Sequence, residues 1–161
     1  MKTYNLHTHY KKILTDTITP VSVYYKVRDK FPNSILLESG DYHRNHKNFS
    51  YICFNPIASI KVENETIFQT FPDGSSTSSS ISKTTDVTEQ IHQFTKRFEV
   101  KSETDFKFIN NGIFGYIAYD AVRYFEDINI SKKDNSVNIP DIYYAVYQNI
   151  IAINHHKNEA Y

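Results

Sequence analysis

The sequence predicts an α+β fold with antiparallel, sandwich-like β-sheets and a few flanking helices. Short apolar or alternating segments recur along the chain, which is typical of strands. Two other stretches repeat apolar residues at helical spacing. Aromatic residues make up 15% of the 161 residues, with 13 Tyr, 11 Phe and no Trp. This composition favours a strand-rich core with tyrosines at its margins, and the length is enough for one compact domain.

Two helices have recognisable starts. The first is predicted to begin at Thr19-Pro20, where a hydroxyl can cap the first turn and a proline ring fixes φ, and to end at Pro32-Asn33. Its apolar residues are Val21, Tyr24, Val27 and Phe31. Asp86 is predicted to cap the second helix, with Glu89 at capping-box spacing. The apolar stripe of this helix, which must dock on a sheet or another helix, is Val87, Ile91, Phe94 and Phe98.

Six segments are predicted to be strands: residues 34–39, 49–54, 58–63, 66–71, 113–119 and 142–154. Asn55-Pro56 is expected to close the second of these. The third and fourth flank Asn64-Glu65 and predict a hairpin. Residues 40–47 and 72–85 are polar and predict loops. The Ser-rich segment 72–85 is expected to be mobile, and no function is assigned to it, because its lone glycine is a poor signal for a phosphate loop.

The last residues predict a strand that starts to return along residues 142–154. A turn over residues 154–158 precedes Glu159-Ala160-Tyr161, which has the character of a strand start. We expect an open strand edge there, because a long central strand would lose its hairpin partner. The sequence is therefore expected to be cut from a longer protein.

Charge and cysteine content exclude several classes of function. Lys plus Arg and Asp plus Glu each number 18, so the formal net charge is zero. A neutral chain offers no basic field for nucleic acid or an anionic membrane surface. No secretory leader or long apolar run is visible. The single cysteine, Cys53, fits a reducing cytoplasmic compartment, and we expect its side chain to be a small buried hydrophobe.

Glu38 and Ser39 are the first candidates for chemistry. If Leu36 faces the core, Glu38 shares its side of the strand, because strand side chains alternate. A carboxylate beside an apolar wall can accept hydrogen bonds from an ammonium while the wall contacts a ring. The plainer alternative is that Glu38 marks the point where the strand reaches solvent.

Two further groups favour structural interpretations. Asp120 is predicted to cap a short helix through Glu126, on which Arg123 meets either carboxylate as a surface or interface ion pair. The histidine pairs His7-x-His9, His43-x-x-His46 and His155-His156 lie in predicted loops or the N-terminal arm. We expect no metal site at these pairs, because no cysteine or carboxylate cluster completes a ligand set. No catalytic residue is predicted.

Four segments together resemble the N-terminal region of anthranilate synthase component I. They are Thr19-Pro20-Val21-Ser22, Leu36-Leu37-Glu38-Ser39, the strand from Phe49-Ser50 to Asn55-Pro56, and the long run from Gly112-Ile113-Phe114-Gly115 to Phe125-Glu126. The last is the most specific. In order and spacing they cover most of residues 19–154.

The resemblance implies a regulatory part of an enzyme of tryptophan biosynthesis. Family members make anthranilate and pyruvate from chorismate, using ammonia from a glutamine amidotransferase subunit and Mg²⁺ at the chorismate site. Their catalytic residues lie in a C-terminal region that we expect to be absent here. Their N-terminal region helps to form the L-tryptophan feedback site, and that role carries over to Glu38 and Ser39, and to Phe49 and Ser50 through the aromatic-Ser strand.

The sequence departs from the family at two positions near this site. Asn48 stands where a basic residue often precedes the aromatic, with Lys47 one position earlier, and Cys53 replaces a glycine. Two alternatives remain. A related aminodeoxychorismate synthase component shares the architecture, although Glu38-Ser39 favours the tryptophan branch. The other alternative is a stand-alone small-molecule-binding module.

Overall fold

The computed structural model describes residues 2–38, 48–82, 84–101, 108–128, 130 and 139–161. Two α-helices lie in these residues, α1 (Pro20–Arg28) and α2 (Val87–Thr95), with a 3-10 helix at Tyr119–Tyr124. The strands are β1 (Tyr4–His7), β2 (Ile13–Leu14), β3 (Ile35–Glu38), β4 (Phe49–Glu63), β5 (Thr66–Thr70), β6 (Ser76–Ser80), β7 (Phe98–Lys101), β8 (Phe114–Ile117), β9 (Ile142–Asn154) and β10 (Glu159–Ala160). The predicted α+β class is confirmed.

The strands are linked in the order β2-β10-β9-β4-β5-β6, with β3 also paired to β4 and β8 to β9. β1 pairs with β7 apart from this sheet. The chain forms two compact units. The first unit comprises Met1–Asn5, Ile57–Glu99 and Ile113–Val146, and the second comprises Leu6–Pro56, Val100–Gly112 and Tyr147–Tyr161. Boundaries fall inside β4 and β9, so each of these strands contributes to both units.

In the first unit, β4 turns into β5 at Asn64-Glu65, as predicted. Both turn residues have positive φ, 49° and 56°, which matches the right-handed twist of a tight hairpin. The antiparallel register places Val62 opposite Ile67, and both are buried. Val87 and Phe94 of α2 are also buried, so the helix docks through these two residues of its predicted stripe. Phe98, the last residue of that stripe, lies beyond the helix, in β7.

In the second unit, β3 pairs antiparallel with β4, and β10 pairs antiparallel with β9 and β2. Ile52, Ile153 and Ala160 form the centre of the core of this unit. Val23, Tyr24 and Val27 of α1 pack against it. The first helix therefore covers one face of the strands that carry the predicted site residues.

Both predicted helix caps are confirmed. The Thr19 hydroxyl accepts a hydrogen bond from the Ser22 backbone N–H, and the Ser22 hydroxyl accepts one from the N–H of Thr19, each at 3.1 Å. The Asp86 carboxylate accepts from the Glu89 N–H at 3.0 Å. These caps satisfy backbone donors that have no partner inside a helix. No helix of the described ranges is long and apolar enough to cross a membrane.

The prediction that Asn55-Pro56 closes the second strand is wrong. β4 continues through both residues to Glu63. Asn55 adopts a left-handed φ of 61°, a conformation that asparagine tolerates better than most residues, and its amide hydrogen-bonds to Gln148. The backbone therefore changes direction locally while the strand continues.

The prediction of a loop over residues 72–85 is also wrong in part. Ser76–Ser80 forms β6, which pairs antiparallel with β5 from Thr66↔Ser80 to Thr70↔Ser76. Strand pairing uses backbone groups that every serine possesses, and the side chains of β6 all remain exposed. Polarity alone therefore did not exclude a strand at the sheet margin.

The open edge expected at Glu159–Tyr161 is not observed at β10. Residues Glu159 and Ala160 pair with β9 on one side and with Leu14 and Ile13 of β2 on the other. Lys12 and Glu159 add an ion pair at 2.5 Å. Residues 13–14 were not predicted as a strand, because a two-residue strand has no measurable alternation.

Candidate functional site

The candidate site is built on the antiparallel pairing of β3 with β4 in the second unit. The register places Glu38 opposite Ser50 and Leu36 opposite Ile52. Directly paired residues project to the same face of a sheet. Glu38 and Ser50, two of the predicted site residues, are therefore neighbours on one face.

Leu36 faces the core. The prediction that Glu38 projects from the core side of the strand depended on this orientation. It packs against the cluster of Ile52, Ile153 and Ala160 beneath α1. Glu38 lies on the same face two residues later and is exposed. The strand thus carries an apolar wall followed by a solvent-accessible carboxylate, an arrangement suited to a ligand with an apolar body and an ammonium group.

Ser50 is fully buried, and its hydroxyl lies 2.7 Å from Nε2 of His155. His155 belongs to the turn between β9 and β10 and is exposed. Its backbone N–H donates to the carbonyl of Asn48 at 3.2 Å. Ser50 therefore does not present its hydroxyl to solvent, because the hydroxyl is engaged by the imidazole.

Phe49 lies on the opposite face from Ser50, since adjacent strand residues alternate. Its ring is 6.1 Å from that of Tyr51 and 5.1 Å from that of Phe108. Phe108 in turn lies 4.9 Å from Tyr161. The structure brings Glu38 and Ser50 together, but it places Phe49 in a separate aromatic cluster. Ser39, the fourth predicted residue, lies outside the described residues, as do residues 40–47 with Lys47, His43 and His46.

A cavity of about 410 Å³ opens elsewhere in the second unit. Its lining includes His7, Lys11, Phe108, Tyr147 and Tyr161. None of the predicted site residues lines it. Size alone would favour this cavity as a ligand site, but the Glu38 face has the better-matched chemistry because a carboxylate there adjoins an apolar wall.

The prediction for Asp120, Arg123 and Glu126 is wrong in its pairing. The 3-10 helix begins after Ala118 without a side-chain cap. Arg123 donates to the carboxylate of Asp141 at 2.7 Å and to the backbone carbonyl of Asp120 at 2.9 Å. The 3-10 helix brings the Asp120 carbonyl within reach of Arg123, and Asp141, which lies 18 residues further along the chain, supplies the carboxylate. The interpretation as an ion pair is confirmed, although its partner differs from both predicted carboxylates.

Cys53 is fully buried in β4, and burial raises the pKa of its thiol to about 12. The thiol is therefore protonated and unreactive at neutral pH. This confirms the prediction of a small buried hydrophobe.

The resemblance implies Mg²⁺ for complete family members, so we tested the described residues as a metal site. They contain no group of three or more histidine, cysteine, aspartate or glutamate residues placed to hold a metal ion. These residues do not fit Mg²⁺, and no step of our account runs through a metal.

His155 is the residue that the sequence did not single out for this site. It is 105 positions from Ser50 along the chain, and its neighbour His156 made the pair resemble an ordinary polar turn. One signal in the sequence was the position of His155 directly after β9, because the turn that follows a central strand lies at the end of the sheet, next to the neighbouring strands.

The fold and sequence place the chain in a known class. The sequence profile of the chorismate-binding enzymes matches residues 32–161, and the chain belongs to this family. It is 30% identical over 151 residues to anthranilate synthase component 1 of Lactococcus lactis, covering 92% of this chain and 30% of that protein. It is 26% identical over 140 residues to anthranilate synthase component 1 of Aquifex aeolicus, covering 87% of this chain and 27% of that protein.

A solved structure agrees at the level of the fold. Anthranilate synthase component I from Streptococcus pneumoniae superposes with a TM-score of 0.51 at 21% identity, covering 95% of this chain and 31% of that one. The chain thus spans under a third of the length of these relatives.

Proposed function

We propose that this chain is the N-terminal regulatory part of an anthranilate synthase component I and forms part of the site at which L-tryptophan inhibits that enzyme. Similarity to component 1 over 92% of the chain supports the family half of this proposal. The Leu36-Leu37-Glu38-Ser39 segment, which resembles part of the family's inhibitor site, supports the regulatory half.

The observation that carries the proposal is the exposed Glu38 carboxylate at the end of a core strand. An amino acid needs an acceptor for its ammonium and an apolar surface for its side chain. Glu38 supplies the first and the wall continuing from Leu36 supplies the second. Each charge-assisted hydrogen bond to the carboxylate would stabilise the complex by roughly 1.5–3 kcal/mol.

In this proposal the chemistry belongs to the complete cytoplasmic enzyme. That enzyme converts chorismate and ammonia to anthranilate, pyruvate and water, with Mg²⁺ at its catalytic site and a glutamine amidotransferase subunit supplying the ammonia. This 161-residue chain alone is inactive in our account. Its contribution is a site at which the inhibitor binds one global state of the complete enzyme better than another, which is how inhibition at a distance operates.

Ser39→Phe is expected to abolish or greatly weaken tryptophan inhibition in the complete protein whose reading frame contains this sequence. The resemblance assigns Ser39 to the inhibitor site, so the bulk of a phenyl ring should oppose binding there, and an increase of about tenfold or more in the half-inhibitory tryptophan concentration corresponds to only about 1.4 kcal/mol. Anthranilate fluorescence, with chorismate and ammonia as substrates, measures both rate and inhibition.

Ser39→Ala is the matched variant, since it removes the hydroxyl without adding bulk. We expect it to retain inhibition better than Ser39→Phe, and we expect both variants to form anthranilate at the unaltered rate without tryptophan. Wild-type inhibition in Ser39→Phe would remove the site assignment.

A further inference from the structure

Three side chains converge on one face at the end of β3 and β4. Ser50 is the strand partner of Glu38 and the hydrogen-bond partner of His155 at 2.7 Å. Paired residues have Cβ atoms about 5 Å apart. The Glu38 side chain and the His155 imidazole therefore lie on either side of one buried serine, and both are exposed.

The turn that carries His155 is held in place by hydrogen bonds from its backbone N–H groups. Asn154 is buried, and its Oδ1 accepts hydrogen bonds from the N–H groups of His156 at 2.9 Å and Lys157 at 3.1 Å. The N–H of His155 donates to the Asn48 carbonyl. These contacts fix the start of the turn against β4, and the 2.7 Å contact between Nε2 and the Ser50 hydroxyl positions the ring.

The Ser50–His155 contact leaves Nδ1 as the second hydrogen-bonding atom of the ring, and Nδ1 is a donor in one of the two tautomers. Ser50 is fully buried and so acts as a support beneath the imidazole. When its hydroxyl donates to Nε2, the neutral ring carries its proton on Nδ1. An N–H at Nδ1 donates to a carboxylate, whereas the Glu38 carboxylate accepts from an ammonium. Asn48, the residue beside this turn, brings no charge of its own.

We infer that His155 recognises the α-carboxylate of the bound amino acid while Glu38 holds its ammonium. This inference rests on the proposed function and adds a specificity residue to the same site. An α-amino acid carries both groups on one carbon, and the two side chains that flank Ser50 match them, with Glu38 as the hydrogen-bond acceptor and His155 as the donor. A ligand that lacks either group should lose the contribution of one side chain alone.

Matched ligands and variants test this assignment in the complete protein. The inhibitors are L-tryptophan, L-tryptophanamide, which lacks the carboxylate charge, and indole-3-propionate, which lacks the ammonium. The variants are His155→Ala, Glu38→Gln and the neighbouring control His156→Ala. Inhibition of anthranilate formation is measured for each pair, and thermal melting verifies that each variant is folded.

His155→Ala is expected to weaken inhibition by tryptophan about tenfold, the effect of one lost hydrogen bond to a charged group. It should leave inhibition by tryptophanamide nearly unchanged. Glu38→Gln should weaken tryptophan and tryptophanamide alike and leave indole-3-propionate unchanged. His156→Ala should match the wild type. His155→Asn, whose amide nitrogen lies near the position of Nδ1, should restore part of the lost tryptophan inhibition.

Equal weakening of tryptophan and tryptophanamide by His155→Ala, without rescue by Asn, would overturn the inference, because it would show a purely structural role. Sensitivity to Glu38→Gln with no effect of His155→Ala would also overturn it and leave the proposed function standing. A wild-type protein that tryptophan does not inhibit would overturn the proposed function, and this inference with it.

Discussion

Gly115→Ala is expected to destabilise the first unit by about 4 kcal/mol or more, at the extreme of single substitutions. A Cβ at this position would lie 1.9 Å from the carbonyl oxygen of Tyr143 and 2.8 Å from the Cα of Tyr144. Gly115 pairs with Tyr144 between β8 and β9, so the obstacle is backbone that cannot rotate away. The added methyl group can be accommodated only if β8 separates from β9.

Gly74→Ala is the matched control for this substitution. Gly74 has a φ of 79° and nothing within 4 Å of an added Cβ, so alanine there meets only the left-handed penalty of about 1–2 kcal/mol. Urea unfolding followed by circular dichroism compares the two variants. Equal losses of stability would show that β8 and β9 do not approach as closely as the structure indicates.

Phe94→Ala is expected to lower the free energy of unfolding by about 3–5 kcal/mol, the usual range for removing a buried phenylalanine. Phe94 is fully buried. Its ring lies 5.8 Å from Phe71 and 5.2 Å from Phe98, so its removal leaves a cavity lined by aromatic rings. Since α2 attaches to the first unit through this residue, the helix should loosen with it.

His92→Ala, on the exposed side of the same helix, controls for helix propensity and should change stability by less than about 0.5 kcal/mol. The same urea titration measures both variants. A loss below about 1 kcal/mol for Phe94→Ala would contradict the docking of α2 through its apolar stripe.

The parts of the fold that the sequence predicted are those with local causes. Thr19-Pro20 and Asp86 mark helix starts because a cap acts within four residues. Asn64-Glu65 marks a hairpin because both neighbouring segments alternate. The continuous apolar run within residues 142–154 predicted β9 with its observed bounds. In each case the deciding contacts lie close together in the sequence.

The parts that the sequence did not predict depend on distant partners. β6 is a strand because β5 offers it a backbone edge, and β2 exists because β10 does. Arg123 pairs with Asp141 for the same reason. No local pattern of serines or charges reports such pairings.

The candidate site shows the same division between local causes and distant partners. Glu38 was singled out by its place directly after an apolar strand, and the position of Leu36 in the core bears out that reasoning. Phe49 was grouped with Ser50 through the resemblance to the family's aromatic-Ser strand, whereas strand alternation places them on opposite faces. The involvement of His155 rests on contacts between distant segments, which bring the end of β9 beside Asn48 and Ser50.

The central claim is that Glu38 binds the inhibitor of the complete enzyme, and tryptophan inhibition of anthranilate formation in Glu38→Gln tests it most directly. Glu99→Gln is the control, since Glu99 is also an exposed strand glutamate. We expect Glu38→Gln to raise the half-inhibitory tryptophan concentration about 10- to 100-fold, as the loss of a charge-assisted hydrogen bond requires. Without tryptophan, the rate of Glu38→Gln should match that of the wild type. Glu99→Gln should match the wild type in both rate and inhibition. Unchanged inhibition in a folded, active Glu38→Gln enzyme would contradict the account.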